Sequence, residues 1–164
     1  MKTVKYLCAI AISGLSAHPA LSKTMATCPL IKSIYVSKGP NSYILTFATL
    51  RANSGVMNDF AFRIQSSNKS VTRWYYFDGG SAREVPLIST LDPTKAGWKF
   101  APDEKKPYGN VTYIGLDHDG TIADIAPRAN DKAPAFIIIP ELPQVLRKSS
   151  PVFNTSAFKL IKCS

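Results

Sequence analysis

Three groups of residues in this chain have types and spacings that could do chemistry. The first is Asp117-His118-Asp119-Gly120-Thr121, two carboxylates and an imidazole within five residues. Carboxylates so close together can move protons or hold a cation. The second is Arg73-Trp74-Tyr75-Tyr76-Phe77-Asp78-Gly79-Gly80-Ser81, a run of aromatics between a cation and a glycine turn. Aromatic faces beside a basic group can stack on sugars or anchor a protein partner. The third is the cysteine set, Cys8, Cys28 and Cys163.

The apolar run 111–116 followed by Asp117-x-Asp119-Gly120-Thr121 resembles the nucleophile motif of haloacid-dehalogenase-type phosphatases. The resemblance implies that Asp117 attacks phosphorus and that Asp119 acts as acid and base. It also implies a parallel sheet with crossover helices. Only 43 residues follow Thr121, whereas one parallel β-α-β unit takes about 30. Read for conformation alone, the segment is a β-turn, where aspartate and glycine are favoured. Aligned to a calcium loop, Asp117, Asp119 and Gly120 take the third, fifth and sixth positions. Gly115 then stands at the first ligand position, and Ala126 where a bidentate glutamate belongs. Asp117 and Asp119 are therefore candidates for a cation site that lacks its other ligands.

Other catalytic patterns are missing. A nucleophile needs a base and an orienting group within reach, and no Gly-x-Ser-x-Gly elbow occurs. Glu84, Glu104 and Glu141 show no paired arrangement of the kind glycoside hydrolysis requires. There is no phosphate-binding glycine loop, so no cofactor is expected. The expected function is non-enzymatic binding, with a metal-assisted hydrolase or phosphatase on Asp117-His118-Asp119 as the alternative. A structural component of a surface assembly is the third possibility.

The ends of the chain set the context. Lys2 and Lys5 precede an apolar run over residues 6–15, and Ala20 and Ser22 supply small residues before Lys23. That order is the pattern of a cleavable signal peptide, with the cut expected after Ser22. The apolar run is too short to span a bilayer, which takes about 20 residues. Removal of residues 1–22 takes away Lys2, Lys5, Cys8 and His18, so the net charge falls from +9 to +7 and His118 is the one histidine left. The mature chain, 23–164, is of single-domain size. Cys28 and Cys163 then stand near its two ends. In an oxidising compartment they are expected to pair, tying the first strand to the last. The protein is expected in the periplasm or outside the cell, with no transmembrane segment after cleavage.

The elements that must position these residues read as strands. Twelve prolines and nine glycines cut the chain into short runs. Period-two alternation marks residues 60–65, with Phe60, Phe62 and Ile64 on one side. Residues 71–77 run back from a polar turn at 66–70. A second hairpin joins 31–38 to 42–50. A third joins 110–116 to 121–125 through Asp119-Gly120, where glycine supplies the positive φ of a tight turn. Short strands are expected at 135–139 and 157–163. Only 140–148 suggests a helix, with Leu142, Val145 and Leu146 on one face. Residues 92–109 read as a long basic loop, with Pro86 just before it. The expected fold is mainly β: an antiparallel sandwich or open barrel with one short helix, closed by one disulfide.

On the strand 71–77, Trp74 and Tyr76 face one way and Arg73, Tyr75 and Phe77 the other. One face must meet the core, and the other either displays aromatics or is buried as well. The candidate binding residues are Arg73, Trp74, Tyr75, Tyr76 and Asp78, with the loop 92–109 beside them. The positive charge favours anionic surfaces or acidic proteins. A protein or glycan partner is expected, and nucleic acid is not, since no recognised module is present.

Overall fold

Alternation along the chain becomes one curled antiparallel sheet in the computed structural model, which describes residues 28–39, 41–50, 59–79, 84–98, 109–123, 127–147 and 153–164. Residues 1–22, expected from the sequence to be a signal peptide, lie outside the described residues. A 3₁₀ turn, Leu30–Lys32, leads into β1 (Ser33–Ser37) and β2 (Tyr43–Thr49). Then come β3 (Phe60–Ser66), β4 (Thr72–Phe77), β5 (Glu84–Thr90), β6 (Gly109–Thr112), β7 (Ile114–Leu116) and β8 (Ile122–Ala123). The chain finishes with β9 (Phe136–Ile138), helix α1 (Leu142–Leu146) and β10 (Ala157–Cys163). The strand order is β6-β5-β4-β3-β2-β1-β10-β9-β7-β8.

The sheet curls into a half-barrel, and the reason lies in residues 109–116. Its first part, β6, pairs with β5 at one end of the order. Its second part, β7, pairs with β9 near the other end. Only Tyr113 separates them. Residues 110–116, one strand by their sequence pattern, are divided, and the break at Tyr113 lets a single run of chain serve both ends of the sheet.

The concave side holds the main core. Tyr35, Leu45, Phe60, Phe62, Ile64, Tyr75, Phe77, Leu87, Val111, Ile137, Phe158 and Leu160 all belong to it. Its rings meet edge-on or tilted, as in Phe62–Phe77 at 5.0 Å and Phe77–Tyr113 at 6.0 Å between centroids. Such contacts add to plain apolar burial. Helix α1 buries Leu142, Val145 and Leu146 in this core, the face expected from their spacing. Its preceding residue, Glu141, clamps the break in the edge strand. The Thr112 amide and hydroxyl donate to the two Glu141 carboxylate oxygens at 2.8 and 3.1 Å.

Strand β5 was not expected. Pro86 lies inside it, and proline removes one ladder donor. The missing donor faces Asp78, one residue past the end of β4, so a single bond is lost at the margin of the ladder, while the Pro86 carbonyl still accepts from the Asp78 amide at 2.9 Å. On the other side β5 pairs with the short end strand β6. Among the described residues the third hairpin pairs Gly115 with Ala123 and Leu116 with Ile122, and residues 124–125 of the expected run lie outside them. Residues 99–108 of the expected long loop lie outside the described residues.

Cys28 and Cys163 are bonded, with Cα atoms 5.8 Å apart and 135 positions between them in sequence. The bridge sits where β1 and β10 pair, Ser33 facing Cys163. It also anchors a neighbouring loop, because the Cys28 carbonyl accepts from the Ala133 amide at 2.7 Å and the Leu30 amide donates to Asp131 at 2.8 Å. Closing so long a loop stabilises the fold by up to about 5 kcal/mol in the chain-entropy picture. Reduction, or Cys28→Ser, is expected to lower unfolding free energy by about 2–5 kcal/mol in denaturant titrations.

Burial raises the pKa of Tyr35 and Tyr113 above the ordinary value of 10.0, since a phenolate in the core would lose its hydration. Groups with raised folded pKa values stabilise the fold below their unfolded pKa, and that contribution is lost as pH climbs towards the folded one. Stability is therefore expected to fall as pH rises through and above 10. Tyrosinate absorbance followed alongside circular dichroism checks this: the buried phenols, Tyr35 and Tyr113 among them, should ionise only as the sheet unfolds.

Candidate functional site

The aromatic strand β4 is buried on both sides. Tyr75 and Phe77 point into the main core, Tyr75 lying against Phe62 at 5.8 Å. Trp74 and Tyr76 lie on the convex side, in a second cluster with Leu50, Ala61 and Ile88, packed by Ala48 and Trp98. Trp74 is 8% exposed and Tyr76 2%. The Arg63 guanidinium stands over the Trp74 ring at 5.6 Å, and the Trp98 indole N–H donates to Thr90 Oγ1 at 3.0 Å. Of the expected binding residues, Arg73 alone is exposed, and Asp78 is partly exposed. A displayed aromatic face is thus not formed by Trp74, Tyr75 and Tyr76. Alternation shows which side chains share a face; it does not show that a second layer covers that face.

The Asp117–Thr121 segment is the hairpin turn between β7 and β8. The Asp117 amide donates to the Thr121 carbonyl at 2.9 Å, and Gly120 has φ +82°. Asp119 Oδ1 accepts from the Thr121 amide at 3.0 Å, which holds its carboxyl below the ordinary carboxylate range. Asp117 pairs with Lys132 at 3.0 Å, a contact partly open to water and worth little to stability. His118 is exposed. Both strands flanking the turn are antiparallel, as is every pairing in the sheet. The parallel architecture implied by the phosphatase motif is absent among the described residues. So is any group of three metal-ligating side chains. Glu84 begins β5, Glu141 serves Thr112, and Glu104 lies outside the described residues.

The notable surface is on the opposite wall. One continuous row crosses its convex side, one residue from each strand. It runs Ile122, Leu116, Phe136, Lys159, Val36 and Ile44, each facing the next across a strand pair. Their neighbours in register, such as Gly115, Ile137, Phe158, Tyr35 and Leu45, point inward to the core side, so this row points outward. None of its six members is buried. Ile114, Ile138 and Ile34 widen it, and Ile161 is 50% exposed beside it. Strands β1, β2, β7, β8, β9 and β10 contain no aspartate or glutamate, while Lys159 and Lys162 lie on β10 and Lys38 follows β1.

A groove of about 310 Å³ opens in this wall. Val36 and Phe136 supply its apolar surface, Lys38 and Lys159 its charge, and Asn154 and Ser156 hydrogen-bonding groups. An apolar concavity with two lysines in its lining suits an apolar side chain carried among carboxylates. Sequence reading missed this surface because no local segment contains it. A trace was present: the pairs Ile34/Val36, Ile114/Leu116 and Phe136/Ile138 leave a second apolar parity on short strands without acidic residues.

No family model, curated protein or solved structure matches the chain. Among the described residues, no helix is long and apolar enough to cross a membrane.

The two faces of β4 predict distinct mutational outcomes. Trp74→Ala and Tyr76→Ala should each cost about 3–5 kcal/mol, as for large aromatic truncations in a core. Arg73→Ala should change stability by less than about 0.5 kcal/mol. Urea unfolding of the three variants checks both statements.

Proposed function

We propose that the protein is an exported, non-enzymatic binding module whose outward wall docks an acidic protein partner. The reading rests on one observation: a six-strand wall whose outward row is aliphatic or aromatic around a lysine, with no carboxylate on any of those strands. Exposed apolar area of this kind is unfavourable in isolation and marks contact surfaces. The lysines select the charge of what covers it and speed encounter with acidic surfaces.

Export is supported by the zoned residues 1–22 and is compatible with the Cys28–Cys163 bridge, since disulfides persist in oxidising compartments. The site of action is then the periplasm or the extracellular space. A glycan partner is less well served, because sugar recognition uses displayed aromatic platforms and Trp74, Tyr75 and Tyr76 are buried. A bilayer is less well served too. Membrane-facing surfaces carry tryptophan and tyrosine at the interface, and the outward positions of this wall have neither.

The test is a photo-crosslinking amino acid placed at position 136, with position 73 as the control on the other wall. The expected result is a defined protein adduct at 136 and none at 73. Lys38→Glu with Lys159→Glu should abolish it, and raised salt should weaken it. The adduct should map to an acidic segment of the partner. An adduct indifferent to both the lysine reversals and the site of the probe would overturn the reading. So would adducts only between copies of this chain, or binding only to vesicles of anionic phospholipid.

A further inference from the structure

The groove between Val36 and Phe136 carries more chemistry than a preference for acidic surfaces. Lys159 stands directly between those two side chains in the outward row, facing Val36 across one strand pair and Phe136 across the other. Neighbours so placed lie about 5 Å apart. The Lys159 stem therefore rests among apolar groups while its ammonium stays in water. Lys38 follows Val36 by two residues and lines the same groove. Both lysines are exposed. Among the described residues the one ion pair is Lys132–Asp117, so neither Lys38 nor Lys159 has a carboxylate partner there.

The lining fixes both halves of an occupant. It contains no aspartate or glutamate, whereas Lys38, Lys159, Asn154 and Ser156 all carry donors. The polar half is thus best an acceptor-only anion, which on an acidic protein surface is a carboxylate. The apolar half is about one side chain. The groove holds about 310 Å³, near twice the roughly 150 Å³ of a cavity that takes up benzene.

The two halves meet most directly at a chain end. An apolar residue inside an extended segment has its neighbours' side chains turned away from the wall, and the next residues on its own side lie about 7 Å off. At a carboxyl terminus the carboxylate is two bonds from the anchored Cβ. It must then lie at the rim whenever the side chain fills the groove. Capture of a chain-terminal carboxylate is a recurring mode of peptide recognition. We infer that the groove is a site for the carboxyl-terminal residue of the acidic partner, its apolar side chain between Val36 and Phe136 and its α-carboxylate between the Lys38 and Lys159 ammonium groups. Such a site presupposes the docking wall proposed above and specifies what the wall reads.

The test uses the oxidised full chain and the peptide acetyl-Glu-Ser-Glu-Ser-Phe with a free carboxyl end. Chemical shifts of the Ala157 and Lys159 amides are followed. One control is the same peptide as its carboxamide. A second, of equal charge to the probe, holds the phenylalanine inside an amidated chain, acetyl-Glu-Glu-Phe-Ser-Glu. The third is 3-phenylpropionate. The free-acid peptide is expected to bind saturably, with all three controls weaker by about tenfold or more, the factor one charge-assisted hydrogen bond supplies. Lys38→Gln and Lys159→Gln, both at exposed positions, should fold and should each erase most of the preference for the free acid over the carboxamide. Phe136→Ala should weaken acid and carboxamide alike. Equal binding of the free-acid and internal peptides would overturn the inference and leave the docking wall standing. Absence of saturable shifts with every peptide would overturn it too, and the crosslink at position 136 then decides the docking wall separately. Binding of 3-phenylpropionate as tight as that of the peptide would give the groove to small free carboxylates and overturn it as well.

Discussion

The fold depends on eight residues, 109–116, doing two jobs. Their first half completes the ladder beside β5, and their second half completes it beside β9. An open sheet of so many strands would leave two long unpaired edges, each a template for misassociation. Here the ends are carried by one run of chain, and the strand left outermost beyond β7 is only two residues long. The shared run fixes the curl, and the curl creates a concave side deep enough for the large aromatic core. Glu141 satisfies Thr112 where the run changes partners, so the break leaves neither its amide nor its hydroxyl unpaired.

Curling a sheet gives it an outside, and the two walls treat their outsides differently. Around β3, β4 and β5 the convex face is closed over by the chain's own residues, with Leu50 and Trp98 against Trp74, Tyr76 and Ile88. Across β7, β9, β10 and β1 the apolar row is left partly open. Similar side chains therefore serve structure on one wall and are free for contact on the other. The difference comes from which connecting segments fold back, not from the strands themselves.

Much of the scaffold was legible in the sequence. Period-two alternation identified β3, aromatic and β-branched richness β4, a short apolar run β9, and the runs flanking turns or the final cysteine β1, β2 and β10. The spacing of Leu142, Val145 and Leu146 located α1, and the positions of Cys28 and Cys163 gave the bridge. What was hidden has particular causes. Pro86 disguised β5, because its missing donor matters only if a neighbouring strand needs it. Tyr113 looked like one more strand residue, since nothing local reveals a change of partner. The aromatic strand gave the parity of Trp74 and Tyr76 correctly, but burial of a second face is set by distant residues such as Leu50 and Trp98. The outward row was least legible, as its six members come from six strands and meet only through register.

The strand order also has a consequence in time. β1 sits in the interior of the sheet, between β2 and β10. Its second neighbour, β10, comes last in sequence among the strands of this sheet. Until residues 157–163 arrive, one edge of β1 offers unpaired backbone groups and the core side chain Tyr35 lacks part of its cover. Pairings this distant in sequence are slow to form, and an open apolar edge invites association with other chains. The sheet therefore cannot close as the polypeptide emerges. It closes only after all its strands are present, and β10 acts as the final stave that turns an open, vulnerable surface into a finished one.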